Sequence, residues 1–303
     1  MLRKIKLGII KKLKFLPADF YMKAYYEYYT GKKLNLDDPI EFNAKIQWLK
    51  VFYRPMILSK LVDKYEVREY VKEKVGEKYL NDLIGVYDRP TEIDFDNLPN
   101  KFVLKATHGY HFNLLVKDKT KLNKKKSKFL MYKWLSKNQY KRGGLEWAYK
   151  HAKPRLIVEE YLEEIGKDDI NDYKFFCFNG VPKLLHVDID RGSNHSRAYY
   201  DMEWNKLPIK HDSIGFIEGE TERPKNFEEM ASVAAKLAGN FPFVRVDLYN
   251  LNEKIVFGEM TFYPADGRLE FMPEEYNKIV GDYITIPEIP PNQKYITNYS
   301  NSK

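Results

Sequence analysis

The residues with the most chemical potential lie in FVRVDLYNLNEKIVFGEMTF, near the C-terminal end of the chain. Arg245, Asp247 and Tyr249 alternate, so on a β-strand they share one face, and Glu259 and Thr261 share a face on the run that follows the turn. Pairing around that turn brings the Asp247 and Glu259 carboxylates within a few ångströms. Two like charges at that spacing are stable only with a cation between them. Hard oxygen donors of this kind suit magnesium, which retains waters and completes its shell with substrate phosphates. Arg245, on the same face, would place a fixed positive charge against those phosphates. A cross-strand arginine–carboxylate pair on a surface hairpin has the same spacing.

A second signal is KFVLKATHGYHFNLLV. Lys105 ends an apolar strand, and Gly109 lets the following loop approach a ligand closely. A strand, a loop and a returning strand make a flap over phosphates, with the lysine acting as a point charge. A Walker A loop would need a GK[ST] ending and a helix behind it, and neither is present. The third signal is the apolar run Leu156-Ile157-Val158, which ends in Glu159, Glu160, Tyr161 and Leu162. Backbone groups at such a strand end can read an adenine edge, and a neighbouring carboxylate can take ribose hydroxyls.

Lys174 lies within a further strand, and Asp188-Ile189-Asp190-Arg191 ends its partner. Arg191 would stabilise charge developing on transferred oxygens, and a surface salt bridge is the competing use. His108 and His111 have metal-ligand spacing without a third Cys or His nearby. His108 is therefore read as a loop residue within reach of phosphate and His111 as structural. Cys177, among aromatics, is a core thiol.

The elements that must position these groups follow from periodicity. Residues 1–98 read as mostly helical, and the breakers Asn97-Leu98-Pro99-Asn100 mark a boundary. Short β-branched and aromatic runs follow at 102–105 and 113–117, then Lys-rich helical sequence to Tyr149 and a strand at 155–160. A hairpin turns on Asn179-Gly180, another strand lies near 196–202, and a helix at 226–239 precedes the final hairpin. Strands and helices mix without regular βαβ alternation, which points to antiparallel α+β architecture. The expected division is 1–98, 99–162 and 163–303.

In this order, DKYEVREYV (63–71), FVLKATHG (102–109), IVEEYL (157–162), DYKFFCFNG (172–180) and RVDLY…FGEMTF (245–262) resemble the TupA-like group of the ATP-grasp superfamily, associated with teichuronopeptide and surface-polysaccharide synthesis. The resemblance covers roughly residues 40–285. It implies two α+β subdomains clamping ATP, Lys105 on phosphate, Glu159 to Leu162 as an adenine hinge, and Asp247 and Glu259 as magnesium ligands. Similar enzymes carry Asn where this chain has Thr261, whose hydroxyl can still coordinate or hold a ligand water. They also carry a small, glycine-rich string where this chain has Tyr110-His111-Phe112, which alters how the loop can cradle phosphate.

The function implied is an ATP- and magnesium-dependent carboxylate–amine ligase acting through an acyl phosphate, with residues before Pro99 selecting the acceptor. A glycosyltransferase holding metal through Asp188-Ile189-Asp190 and a non-catalytic nucleotide-binding scaffold are the competing classes. A net charge of +8 is spread along the chain, and basic runs such as Lys124-Lys125-Lys126 lack interleaved aromatics, so no nucleic-acid signature is legible. A single cysteine gives no sign of an oxidising compartment, and the expected location is the cytoplasm. In residues 1–16, Ile5, Ile9, Ile10, Leu13 and Leu16 recur at helical spacing beneath lysines. Lysines interrupt every apolar run there, so the segment is neither a secretory h-region nor a spanning helix. It fits either a helix docked on the protein's own body or one lying on the inner face of an anionic membrane.

Overall fold

The computed structural model describes residues 2–163, 170–189, 194–210 and 214–299. Helices α1 (Leu2–Ile10), α2 (Ala18–Thr30), α3 (Phe42–Phe52), α4 (Ile57–Leu61) and α5 (Val67–Lys74) come first. Strand β1 (Leu83–Tyr87) follows, inside the stretch read from sequence as mostly helical. Its five residues are too few to show a helical or a strand period, and only pairing with a distant strand fixes their conformation.

Strands β2 (Phe102–Ala106) and β3 (Asn113–Val116) form a hairpin, then come α6 (Lys124–Leu135), α7 (Gln139–Arg142) and β4 (Leu156–Glu160). These strands build a four-stranded sheet in the order β1-β4-β2-β3, antiparallel throughout. Its apolar face packs under Met131 and Trp134 of α6, giving a small core with Phe102, Leu104, Leu156 and Val158.

The rest of the chain contains β5 (Asp172–Phe178), β6 (Val181–Ile189), β7 (Ser196–Asp201), β8 (Lys206–Leu207), β9 (Gly215–Phe216), α8 (Phe227–Ala238), β10 (Phe243–Leu251), β11 (Lys254–Thr261) and α9 (Glu275–Asp282). They give a second sheet in the order β11-β10-β5-β6-β7-β8, with β9 joined to β7. Every residue of the central strand β5 is buried. Helix α8 has Glu228 and Glu229 in its first turn and Lys236 in its last, which complement the helix dipole, and it ends at Gly239 with φ 49°. The N-terminal helices share this larger core: Phe42 of α3 meets Phe243 edge-on, with ring centroids 5.1 Å apart, and also packs on Phe176. The arrangement is α+β.

The Asn179-Gly180 turn forms as read, whereas the final hairpin, read as turning through Asn250-Leu251-Asn252-Glu253, keeps Asn250 and Leu251 in β10 and turns on two residues. The β5–β6 connection uses Asn179 and Gly180 at φ 48° and 82°, and the β10–β11 connection uses Asn252 and Glu253 at φ 49° and 69°. Positive φ at both central residues matches the right-handed twist of the strands they join.

Candidate functional site: a charged cleft between two sheets

The β10–β11 turn fixes the register that the site needs. Arg245 pairs with Thr261 and Asp247 with Glu259, and a bulge then follows. Gly258 is the extra residue. A Cβ there would stand 3.0 Å from the Asp247 carbonyl oxygen, tighter than ordinary van der Waals contact, so glycine eases the close approach of the two backbones. The bulge keeps Asp247, Glu259, Arg245 and Thr261 on one face.

The cation between the two carboxylates is a guanidinium. Arg245 donates from Nε to Asp247 Oδ1 at 2.6 Å and from Nη2 to Asp247 Oδ2 at 2.7 Å. Its Nη2 also reaches Thr261 Oγ1 at 3.1 Å and Glu259 Oε1 at 3.5 Å. Lys174, opposite Asp247 on β5, donates to Asp247 Oδ2 at 2.6 Å and also binds the Asp172 carboxylate. Burial pushes the Asp247 carboxyl up, but the Arg245 and Lys174 charges outweigh it and hold it below the ordinary carboxylate range. Arg245 and Lys174 are therefore engaged with Asp247 rather than projecting free into the cleft.

The small sheet supplies the facing wall. Lys105 Nζ lies 2.5 Å from Glu159 Oε2, across the β2–β4 pair. Of the four residues read as an adenine hinge, Glu159 is buried and turned onto Lys105, whereas Glu160 is exposed. Glu160 is anchored through its backbone, its N–H donating to the Asp82 carbonyl at 3.0 Å and its carbonyl accepting from Asn81 Nδ2 at 3.0 Å. Leu162 lines the cleft and Tyr161 lies beside it, partly exposed.

Sequence reading missed the lysine that joins the two walls. Lys64 lines the cleft with Lys105, Arg68 and Asn81, opposite Tyr249, Phe257 and Gly258. Its Nζ donates to the Gly109 carbonyl at 2.6 Å. Burial lowers the Lys64 pKa while Glu259 opposes that shift, so the Glu259 charge on β11 acts on Lys64 across the cleft. The available signal was the lysine of DKYEVREYV, immediately before α5. The space among these side chains is about 30 Å³.

The loop after β2 corrects one expectation. His108 is buried, its Nε2 lies 3.1 Å from the Lys137 carbonyl, and its ring packs 5.4 Å from that of Phe112. Burial lowers its pKa. It is a core histidine rather than a phosphate contact, because the loop folds back on the end of α6. Gly109 is equally confined: a Cβ there would stand 2.8 Å from the Phe112 ring. His111 takes φ 62°, so the bulky string adopts the left-handed backbone that glycine adopts without strain.

Asp188 of the short DxD pattern is buried and accepts from Arg197 at 2.6 and 3.0 Å. Asp190 and Arg191 lie outside the described residues.

For magnesium, the donor set is two carboxylates and a hydroxyl on one strand-pair face. No group of three His, Cys, Asp or Glu side chains in metal-holding geometry occurs among the described residues. A cation here would therefore draw further ligands from outside the protein, as magnesium does with nucleotide phosphates. The residues fit that use, with Asp247 shared between the cation and its two basic partners.

Lys64 and Lys105 line one cleft with Tyr249, Phe257 and Gly258 of the final hairpin, with the Glu259 charge acting on Lys64, and a sequence-family model for TupA-like ATP-grasp proteins matches residues 44–285. The chain belongs to the TupA-like ATP-grasp family. Its fold is accordingly the ATP-grasp fold. The chain is also similar in structure to a D-alanine–D-alanine ligase from Bacillus anthracis, at 18% identity over 78% of this chain and 70% of that one, with a TM-score of 0.46. A phosphoribosylamine–glycine ligase from Thermotoga maritima is similar at 13% identity over 69% and 50%, TM-score 0.43. A RimK domain ATP-grasp protein from Sphaerobacter thermophilus is similar at 10% over 75% and 69%, TM-score 0.41. No curated protein matches this TupA-like sequence.

Proposed function

We propose that the protein is an ATP- and magnesium-dependent carboxylate–amine ligase acting in the synthesis of a surface polysaccharide or teichuronopeptide-like polymer. The single observation that carries the reading is that Lys64, which lines the cleft with Lys105, feels the charge of Glu259, the carboxylate that Arg245 links to Asp247. Phosphoryl transfer asks for positioning and charge neutralisation around moving oxygens rather than for a protein nucleophile. Magnesium, held by Asp247 and Glu259 with Thr261 beside them, would neutralise the nucleotide phosphates. Lys105 of the small sheet and Lys64 of the α4–α5 segment orient those phosphates, and the 159–162 strand end receives the adenine.

In the reaction so read, a substrate carboxylate oxygen attacks the γ-phosphorus and ADP departs. An amine nitrogen then attacks the acyl carbon, phosphate leaves, and the nitrogen loses a proton. Arg245 and Lys174 fix Asp247 in its charged form throughout.

The N-terminal region, through residue 98, contributes acceptor recognition. Support comes from Asp266, just beyond Thr261: it accepts from Tyr25 OH at 2.6 Å and pairs with the buried Lys50 at 2.5 Å, so α2 and α3 reach the end of β11. The wild type should bind ATP calorimetrically only with magnesium, and the Asp247→Asn, Glu259→Gln double variant should not. A folded wild type that does not bind ATP would sink the reading.

A further inference from the structure

Helix α1 carries two chemically different faces. Its inner face is fixed to α2: Gly8 lies against the Tyr28 ring, Lys11 stacks its ammonium 3.7 Å over that ring, and Tyr21 OH donates to the Lys11 carbonyl at 3.0 Å. Arg3 pairs with Glu27. Among the described residues no element covers the outer face. Ile5 and Ile9, one helical turn apart, are 53% and 58% exposed, and Phe15 and Phe20 beyond the helix are 82% and 53% exposed. Lys4, Lys6 and Lys12 stand around this ridge, and none of them pairs with an acid among the described residues.

Exposed Ile and Phe on a small protein are normal when scattered. Here Ile5 and Ile9 form one ridge with Lys4 and Lys12 beside it, Phe15 follows in the same segment, and the sequence from Arg3 to Leu16 contains six Lys and Arg and no Asp or Glu. An apolar ridge with unneutralised cations along it is complementary to a surface that is anionic outside and hydrocarbon just beneath, which is a bilayer with acidic headgroups. No described helix is long and apolar enough to cross a membrane, so contact of this kind would be peripheral.

We infer that α1 and the segment to Phe20 dock the protein on an anionic lipid bilayer, with Ile5, Ile9 and Phe15 entering the headgroup boundary and Lys4, Lys6 and Lys12 contacting acidic headgroups. This does not depend on the nucleotide chemistry, because none of these side chains lines the cleft. α1 holds to the body through residues outside the ridge, so changes on the ridge leave the fold intact.

The test is co-sedimentation of the full chain with vesicles of phosphatidylcholine alone or mixed with phosphatidylglycerol, at low and high salt. Binding is expected to the anionic vesicles only and to fall with salt. Substituting Lys4, Lys6 and Lys12 together by Gln should lower partitioning on the order of a hundredfold, each cation near the surface contributing about fivefold. An Ile5→Asn, Ile9→Asn, Phe15→Ser variant should lose retention at high salt. Absence of binding to anionic vesicles, binding indifferent to both sets of substitutions, or a ridge-dependent self-association without lipid would overturn the inference, the last by identifying a second copy as the occupant.

Discussion

Arg245 grips Asp247 from two positions back on the same strand, through both carboxylate oxygens, at 2.6 and 2.7 Å. Side chains two apart on a strand share a face, so a single sequence spacing produces a buried, bidentate ion pair. Among the described residues, Lys174 is the other basic partner of Asp247 at hydrogen-bond distance.

Removing the guanidinium leaves a buried carboxylate half-compensated. Arg245→Met should lower stability by about 3 kcal/mol or more, measured by urea denaturation. Because the native Asp247 pKa is depressed, this network's contribution is present above its ordinary value of 3.8 and is lost as pH falls through the lower native value. Asp247→Asn should therefore blunt the acid limb of the stability profile. A limb unchanged in the variant would show that other carboxylates govern it.

Lys105 is neutralised by Glu159 at 2.5 Å, so any phosphate must compete with that carboxylate. Lys105→Met should weaken ATP binding at least about tenfold, the loss of one charge-assisted hydrogen bond. Glu159→Gln, which removes the competitor's charge, should tighten ATP binding and affect adenosine little. Equal weakening by both substitutions, in calorimetry, would refute competition.

Glu146 is a buried carboxyl whose pKa is raised to about 8, first by burial and then by the nearby Asp266 charge, with Tyr110 OH 3.2 Å from its Oε2. The native state holds a proton that the unfolded chain releases near 4.5, so the associated stability is complete below about pH 4.5 and is lost as pH rises through about 8. Thermal melts across this window should show wild-type stability falling, and Glu146→Gln should flatten that slope. A variant that keeps the full slope would place the titration elsewhere.

Lys64 ties the loop after β2 through the Gly109 carbonyl at 2.6 Å. Lys64→Met should speed amide exchange from Gly109 to Phe112 and weaken nucleotide binding together. Faster exchange with unaltered ATP affinity would confine the residue to a structural role.

Much of the site could be read along the chain because its determinants are local. Alternation put Arg245, Asp247, Glu259 and Thr261 on common faces, and the Asn179-Gly180 turn and the α8 boundaries each rest on the backbone preferences of a few residues. What lay beyond the sequence depends on contacts between distant segments. β1 is a strand only because β4 pairs with it. His108 looked like a loop ligand until the end of α6 supplied Lys137. Lys64 enters the cleft because the α4–α5 segment packs beside Thr107, whose carbonyl accepts from the Lys64 N–H at 3.1 Å. Residue spacing thus determined which groups share a face. Only the tertiary structure decided which charges those groups neutralise, because charge pairing depends on distances between segments far apart in the chain.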